Sequence, residues 1–192
     1  MIKIGILGDI GSGKSFVAKN FGYPVFNADY EVYKLYKKDK KIFNKLKKKL
    51  PKHISLFPID KKQIFNAILA NKSNLKKIVK VVHQEVRKKM RLFLNINKNK
   101  KIVVLDIPLL IESKINKKND IIIFVDSKKK EINKRLKKRS NFNLKVVKKF
   151  KKLQLSVEVK KKQSNYIIKN NFKNHSIKKN VRMLLGKILL NV

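Results

Sequence analysis

Residues 8–15 read Gly8-Asp9-Ile10-Gly11-Ser12-Gly13-Lys14-Ser15 and meet G-x-x-x-x-G-K-[ST] at every required position. An apolar run, Ile2–Leu7, precedes them and a helical pattern follows, the context a phosphate-binding loop needs. Glycines let the backbone curl until several N–H groups face one anion, and the helix N-terminus adds partial positive charge. Gly8, Ile10, Gly11, Ser12 and Gly13 would therefore hold nucleotide phosphates through the backbone. Lys14 would reach the β/γ-phosphates, and Ser15 would offer its hydroxyl to Mg²⁺. Glycine is scarce: the chain has six, and four lie in residues 5–13.

Three carboxylates stand where such a loop could use them. Asp29 directly follows the short run Val25-Phe26-Asn27-Ala28. In a parallel sheet ligand-binding residues gather at the carboxyl ends of strands, so Asp29 is a candidate base for an acceptor hydroxyl. It could also cap the helix beginning at Tyr30. Asp106 ends the apolar run Ile102–Leu105, the pattern that brings a carboxylate near Mg²⁺ or its water; capping a turn before Pro108 is the competing role. Glu112 closes Pro108-Leu109-Leu110-Ile111-Glu112 and either holds an acceptor loop or faces solvent.

The elements that must position these groups alternate. Strands are expected at Ile2–Leu7, Pro24–Asn27, Ile102–Ile107, Ile121–Val125 and Tyr166–Ile168, and helices at Ser12–Phe21, Tyr30–Leu50 with a break near Asp39, Lys128–Lys138 and Ile177–Leu190. Asp60 followed by Gln63 forms a capping-box-like start, and Ser73 can begin the next helix, whose Leu75, Ile78, Val79, Val82, Val86, Met90 and Phe93 make an apolar stripe. Strands apolar on both faces argue an α/β fold with a parallel sheet covered by helices on both sides.

Composition excludes other classes. Without cysteine there is no disulfide scaffold, thiolate metal site or cysteine nucleophile. No apolar run is long enough to span a bilayer, and the N-terminus does not read as a signal peptide, so a cytoplasmic protein without a membrane partner is expected. The formal net charge of +39 suggests nucleic acid first. However, the excess is lysine, with only five arginines, and residues 1–33 sum to zero charge. The lysines therefore read as a solvated coat, and no specific nucleic acid is expected. A guanine-reading N-K-x-D is not met, because Asn116-Lys117-Lys118-Asn119-Asp120 places its aspartate one residue late. A small-molecule kinase fits best.

The ordered set G-x-L-G-x-I-G-S-G-K-S, V-F-N-A-D, His83 with Val86, and D-I-P-L-L-I-E resembles the dephospho-coenzyme A kinase family across essentially the whole chain. The P-L-L-x-E element is its most specific part. The resemblance implies a P-loop kinase fold: one domain with a nucleotide core (1–29, 101–138, 164–192), a helical acceptor region (about 30–100) and a lid (about 139–163). It implies Mg²⁺ and ATP and phosphorylation of the ribose 3′-hydroxyl of dephospho-coenzyme A; a monomer is expected. By motif match, Asp29 would be the base. His83, Pro108, Leu110 and Glu112 would contact the acceptor. Arg135 and Arg139 match the paired arginines at the start of the lid, with Arg139 over the transferring phosphoryl group. Gln154 matches a lid glutamine, and Asn170 lies in an element near the adenine. Two rivals stand beside this reading: another nucleotide or small-molecule kinase on the same fold, and a basic nucleotide-gated nucleic-acid binder.

Five positions depart from the family pattern. Asp9 stands where glycine is usual, so its carboxylate must turn from the phosphates or face a lysine. Asn27 replaces the first aspartate of D-A-D, Gln84 replaces a proline after His83, and Ser164-Asn165 replaces Ala-Asp.

Overall fold

A computed structural model describes residues 1–139 and 142–191; residues 140 and 141, within the expected lid, and residue 192 lie outside the described residues. In chain order the elements are β1 (Ile2–Gly8), α1 (Lys14–Lys19), β2 (Val25–Asn27), α2 (Ala28–Lys38), α3 (Lys40–Lys49), α4 (Lys61–Ala70), α5 (Lys72–Ile96), β3 (Ile102–Asp106), β4 (Ile121–Asp126), α6 (Lys129–Lys137), α7 (Leu144–Lys151), α8 (Val157–Lys162), β5 (Tyr166–Lys169) and α9 (Asn174–Leu190). They group into two compact units, Met1–Asn27 with Asn97–Val192, and Ala28–Ile96.

The first unit carries a five-stranded sheet in the order β2-β3-β1-β4-β5, and every pairing is parallel. Ile4 and Ile6 of β1, Val104 of β3, Ile123 and Val125 of β4 and Ile168 of β5 enter one buried cluster with Val17 and Ala18 of α1 and Ile177, Val181 and Ile188 of α9. On the opposite face Gly5 meets Leu110 and Ile122, and α8 packs against β1. This is the parallel sheet covered by helices that the two-faced apolar strands predict.

Gly5 is required by a close approach. A Cβ there would lie 2.9 Å from Ile122 Cδ1 and overlap Leu110 Cδ2. A side chain at this point would force the ends of Leu110 and Ile122 to shift.

The second unit consists of α2–α5. The helix break falls where expected: the Asp39 carboxylate accepts from Ile42 N at 3.0 Å and starts α3. Asp60 caps α4 by accepting from Gln63 N at 2.8 Å. The box is not reciprocal, because Gln63 Oε1 instead accepts from Ser55 N and Leu56 N. Three expected helix starts are corrected. The helix after the phosphate loop begins at Lys14 rather than Ser12, since Gly11 and Gly13 both have φ near +87° and cannot be helical. α2 begins at Ala28, so Asp29 lies inside its first turn and is not its cap. α5 begins at Lys72 rather than Ser73, and the preceding Asn71 accepts from Ser73 N through Oδ1 at 2.8 Å.

Gly5→Ala is expected to destabilise the protein by about 1–3 kcal/mol through overpacking. Urea unfolding checks this; a change under about 0.3 kcal/mol would show that Leu110 has room to move.

Candidate active site

The parallel register sets the site. Ile6 pairs with Asp106, and Asp106 with Asn27, so the ends of β1, β3 and β2 come level. The loop of residues 9–13 leaves β1 at this edge.

The loop is held from outside. The carbonyl of Ser12 accepts from Asn170 Nδ2 at 2.8 Å and from Ser127 Oγ at 2.9 Å. Asn170 is buried, and its Oδ1 accepts from Phe172 N at 2.8 Å. Gly13 tolerates no Cβ, which would approach Asn170 Nδ2 within 2.5 Å. Asn170 thus buttresses the phosphate loop, a role its place in the chain did not reveal. Lys14 Nζ donates to the loop's own carbonyls, Asp9 O at 3.0 Å and Gly8 O at 3.4 Å. These are soft partners that an anionic phosphate oxygen can replace with a charge-assisted bond. Ser12 Oγ is buried and makes no hydrogen bond among the described residues. Such an orphan hydroxyl is what a cradle shaped around an anion leaves behind.

Beside the loop, Asn27 Nδ2 bridges two oxygens, donating to Asp106 Oδ2 at 2.6 Å and to Ser15 Oγ at 3.2 Å. Asp106 is only 3 % exposed. A hydroxyl and a carboxylate are hard oxygen donors, the kind Mg²⁺ takes together with phosphate and water. The donor set therefore fits that ion, although the described residues contain no cluster of three or more His, Asp or Glu side chains that could hold a metal by themselves. Asn27 donates a hydrogen bond where aspartate is usual, so it supports Asp106 without adding a second negative charge.

Asp9 meets the constraint its charge imposes. Oδ1 accepts from Ile10 N at 2.8 Å, and Oδ2 pairs with Lys151 of α7 at 3.2 Å. Arg135, exposed on α6, lies over the Phe172 ring at 4.4 Å, and Phe172 has φ +62°. This pair forms a flat shelf next to the buttress. Arg139 is exposed just past α6.

The segment after β3 folds back on itself, with Leu110 N on Ile107 O and Ile115 N on Leu110 O. Pro108 is half-buried and Leu110 buried. Glu112 does not face solvent: Oε1 accepts from Leu155 N at 2.9 Å and pairs with Lys160 Nζ at 3.4 Å. The Ser164-Asn165 departure is benign. Asn165 Oδ1 accepts from Ile122 N at 2.7 Å, which an aspartate oxygen would do equally, and Ser164 Oγ donates to Lys160 O.

In the second unit Asp29 is exposed in the first turn of α2. His83 is half-buried on α5, in a hollow it shares with Lys80, Gln84 and Arg87. Burial, and then the Arg87 charge, lower its pKa from the ordinary value of 6.5.

A family model described as dephospho-CoA kinase matches residues 2–176 of the chain. The dephospho-CoA kinase of Wolbachia pipientis wMel is 34% identical, with 98% of each chain covered. That of Wolbachia sp. subsp. Brugia malayi is 32% identical over the same shares. A crystal structure of a Thermus thermophilus protein is similar with a TM-score of 0.73 and 27% identity, covering 97% of each chain.

His83 should titrate below 6.5, and Arg87→Gln should move its pKa part of the way back. Because the folded state binds this proton less readily than the unfolded chain, His83 contributes stability above pH 6.5 that is lost as pH falls through its folded pKa. An NMR titration of the imidazole checks both; a value at or above 6.5 would refute them.

Proposed function

The chain belongs to the dephospho-CoA kinase family, and from that premise we propose how its own residues carry out the transfer. The reaction is ATP-dependent phosphorylation of dephospho-coenzyme A at the ribose 3′-hydroxyl, which yields coenzyme A in the last step of its synthesis. One observation carries the residue assignment: the curled loop of residues 8–15, pinned by Asn170 and Ser127, with Lys14 parked on loop carbonyls beside the Ser15–Asn27–Asp106 array.

In this reading the backbone N–H groups of Gly8, Gly11 and Gly13 bind the β- and γ-phosphates, joined by those of Ile10 and Ser12 once they leave Asp9 Oδ1 and Asp9 O. Lys14 leaves the carbonyls of Gly8 and Asp9 for phosphate oxygens. Ser15 and, through water, Asp106 would hold Mg²⁺, which would offset phosphate charge. The Arg135–Phe172 pair flanks the adenine end, and Asn170 holds the phosphate loop from behind. His83, Pro108, Leu110 and Glu112 bind the acceptor.

Asp29 aligns the 3′-hydroxyl and takes its proton as the oxygen bonds to the γ-phosphorus. The bond from that phosphorus to the β-γ bridging oxygen breaks, and ADP leaves with that electron pair. Arg139 stabilises the charge on the transferring group, with a planar fork suited to phosphoryl oxygens. The enzyme is read as a cytoplasmic monomer. Among the described residues no helix is long and apolar enough to cross a membrane.

Lys14→Ala should abolish turnover of ATP with dephospho-coenzyme A. Asp29→Asn should slow it by about 10²-fold or more while leaving ATP affinity within about twofold. Single-turnover assays and nucleotide titration check both, and a rate for Asp29→Asn within about twofold of wild type would refute the base assignment.

A further inference from the structure

Among the described residues Lys160 is the only lysine whose side chain leaves the solvent, at 2 % exposed. The chain has 51 basic residues and a strongly positive surface, so a lysine gains nothing in solubility by burial. Desolvating an ammonium is costly unless its donors are met. Here Nζ donates to Gln154 Oε1 at 2.7 Å and pairs with Glu112 Oε1 at 3.4 Å.

The same Glu112 oxygen also accepts the backbone N–H of Leu155 at 2.9 Å. One carboxylate oxygen therefore joins the turn after β3 to two points of the segment between α7 and β5. The other, Oε2, is buried with no hydrogen bond among the described residues, and the Glu112 side chain is 10 % exposed. An array shaped for stability alone would meet both oxygens or replace the pair with apolar side chains. What this array achieves is orientation. It fixes which way Glu112 points, and with it the turn at Pro108–Ile115.

We propose that Lys160 is a positioning residue of the acceptor site: it holds Glu112, and through it the Pro108–Glu112 turn, in the form that receives dephospho-coenzyme A. This rests on the reading of that turn as acceptor-binding. Lys160 acts through Glu112, its Nζ being taken up by Gln154 Oε1 and Glu112 Oε1. Its effect is specific to the acceptor because the phosphate loop has its own supports in Asn170 and Ser127.

The test compares wild type with Lys160→Met and with Glu112→Leu/Lys160→Met, assayed well below their unfolding midpoints. The double variant removes both charges and so keeps a folded protein in hand should the single one, with its unpaired buried carboxylate, fail. The expected result is a KM for dephospho-coenzyme A raised about tenfold or more in Lys160→Met, with the Kd for ATP within about twofold; the double variant also loses Glu112's own contact with the acceptor and is read by hydrogen exchange and ATP affinity alone. Hydrogen exchange without ligand should show faster exchange at amides 110–115 in the double variant. A merely structural role predicts a lower Tm with acceptor KM and exchange at 110–115 unchanged, and that outcome overturns the proposal. If wild type itself fails to phosphorylate dephospho-coenzyme A, the functional reading falls; the exchange measurement still decides whether Lys160 orders the turn.

Discussion

The site depends on a loop that curls through positive φ at Gly11 and Gly13 and so turns the Ser12 carbonyl outward. Outward carbonyls need donors. The Ser12 carbonyl finds two, Asn170 from the end of β5 and Ser127 from the end of β4. Both reach it because parallel pairing sets β1, β4 and β5 side by side with their carboxyl ends together. An antiparallel neighbour would bring its amino end to this edge instead. The requirement explains the glycine pattern as well: Gly13 leaves room for the Asn170 amide.

The chain's acids are few enough that their placement can be read individually. Twelve face 51 lysines and arginines. Asp9 pairs with Lys151, Glu31 with Lys34, Glu85 with Lys88, Asp120 with Lys3 and Asp126 with Lys161. Partly or largely exposed pairs of this kind contribute little to stability, typically under about 1 kcal/mol each. The pair between Glu112 and Lys160 differs in kind because water does not screen it. Most of the lysines have no acid available and form the solvated coat, a source of nonspecific attraction to polyanions.

The departures from the family pattern follow one physical logic. Asn165 accepts from Ile122 as an aspartate would, whereas Asn27 donates to Asp106, which a carboxylate in its place does not do. Asp9 adds a charge, and Lys151 answers it. Each altered group thus meets a partner in the fold, which is why the fold accommodates it.

Much of the site was legible from residues close together in the chain. The loop of residues 8–15, the strand ending in Asp106, the helix break at Asp39 and the cap at Asp60 are short-range features, governed by φ preference, apolar runs and local hydrogen bonds. Local signals erred by a residue or two where caps compete, as at Ser73 and Asn71. What the sequence left open is set by distant partners. Asn170 lies 158 residues from the carbonyl it holds, and nothing in its neighbourhood distinguishes a buttress from an adenine contact. Lys160 is one of three consecutive lysines, Lys160–Lys162, and only packing of α8 against the sheet takes it out of water beside Glu112. Residue type and spacing state which chemistry is available; burial, and the partner that makes burial tolerable, are decided only when remote segments meet.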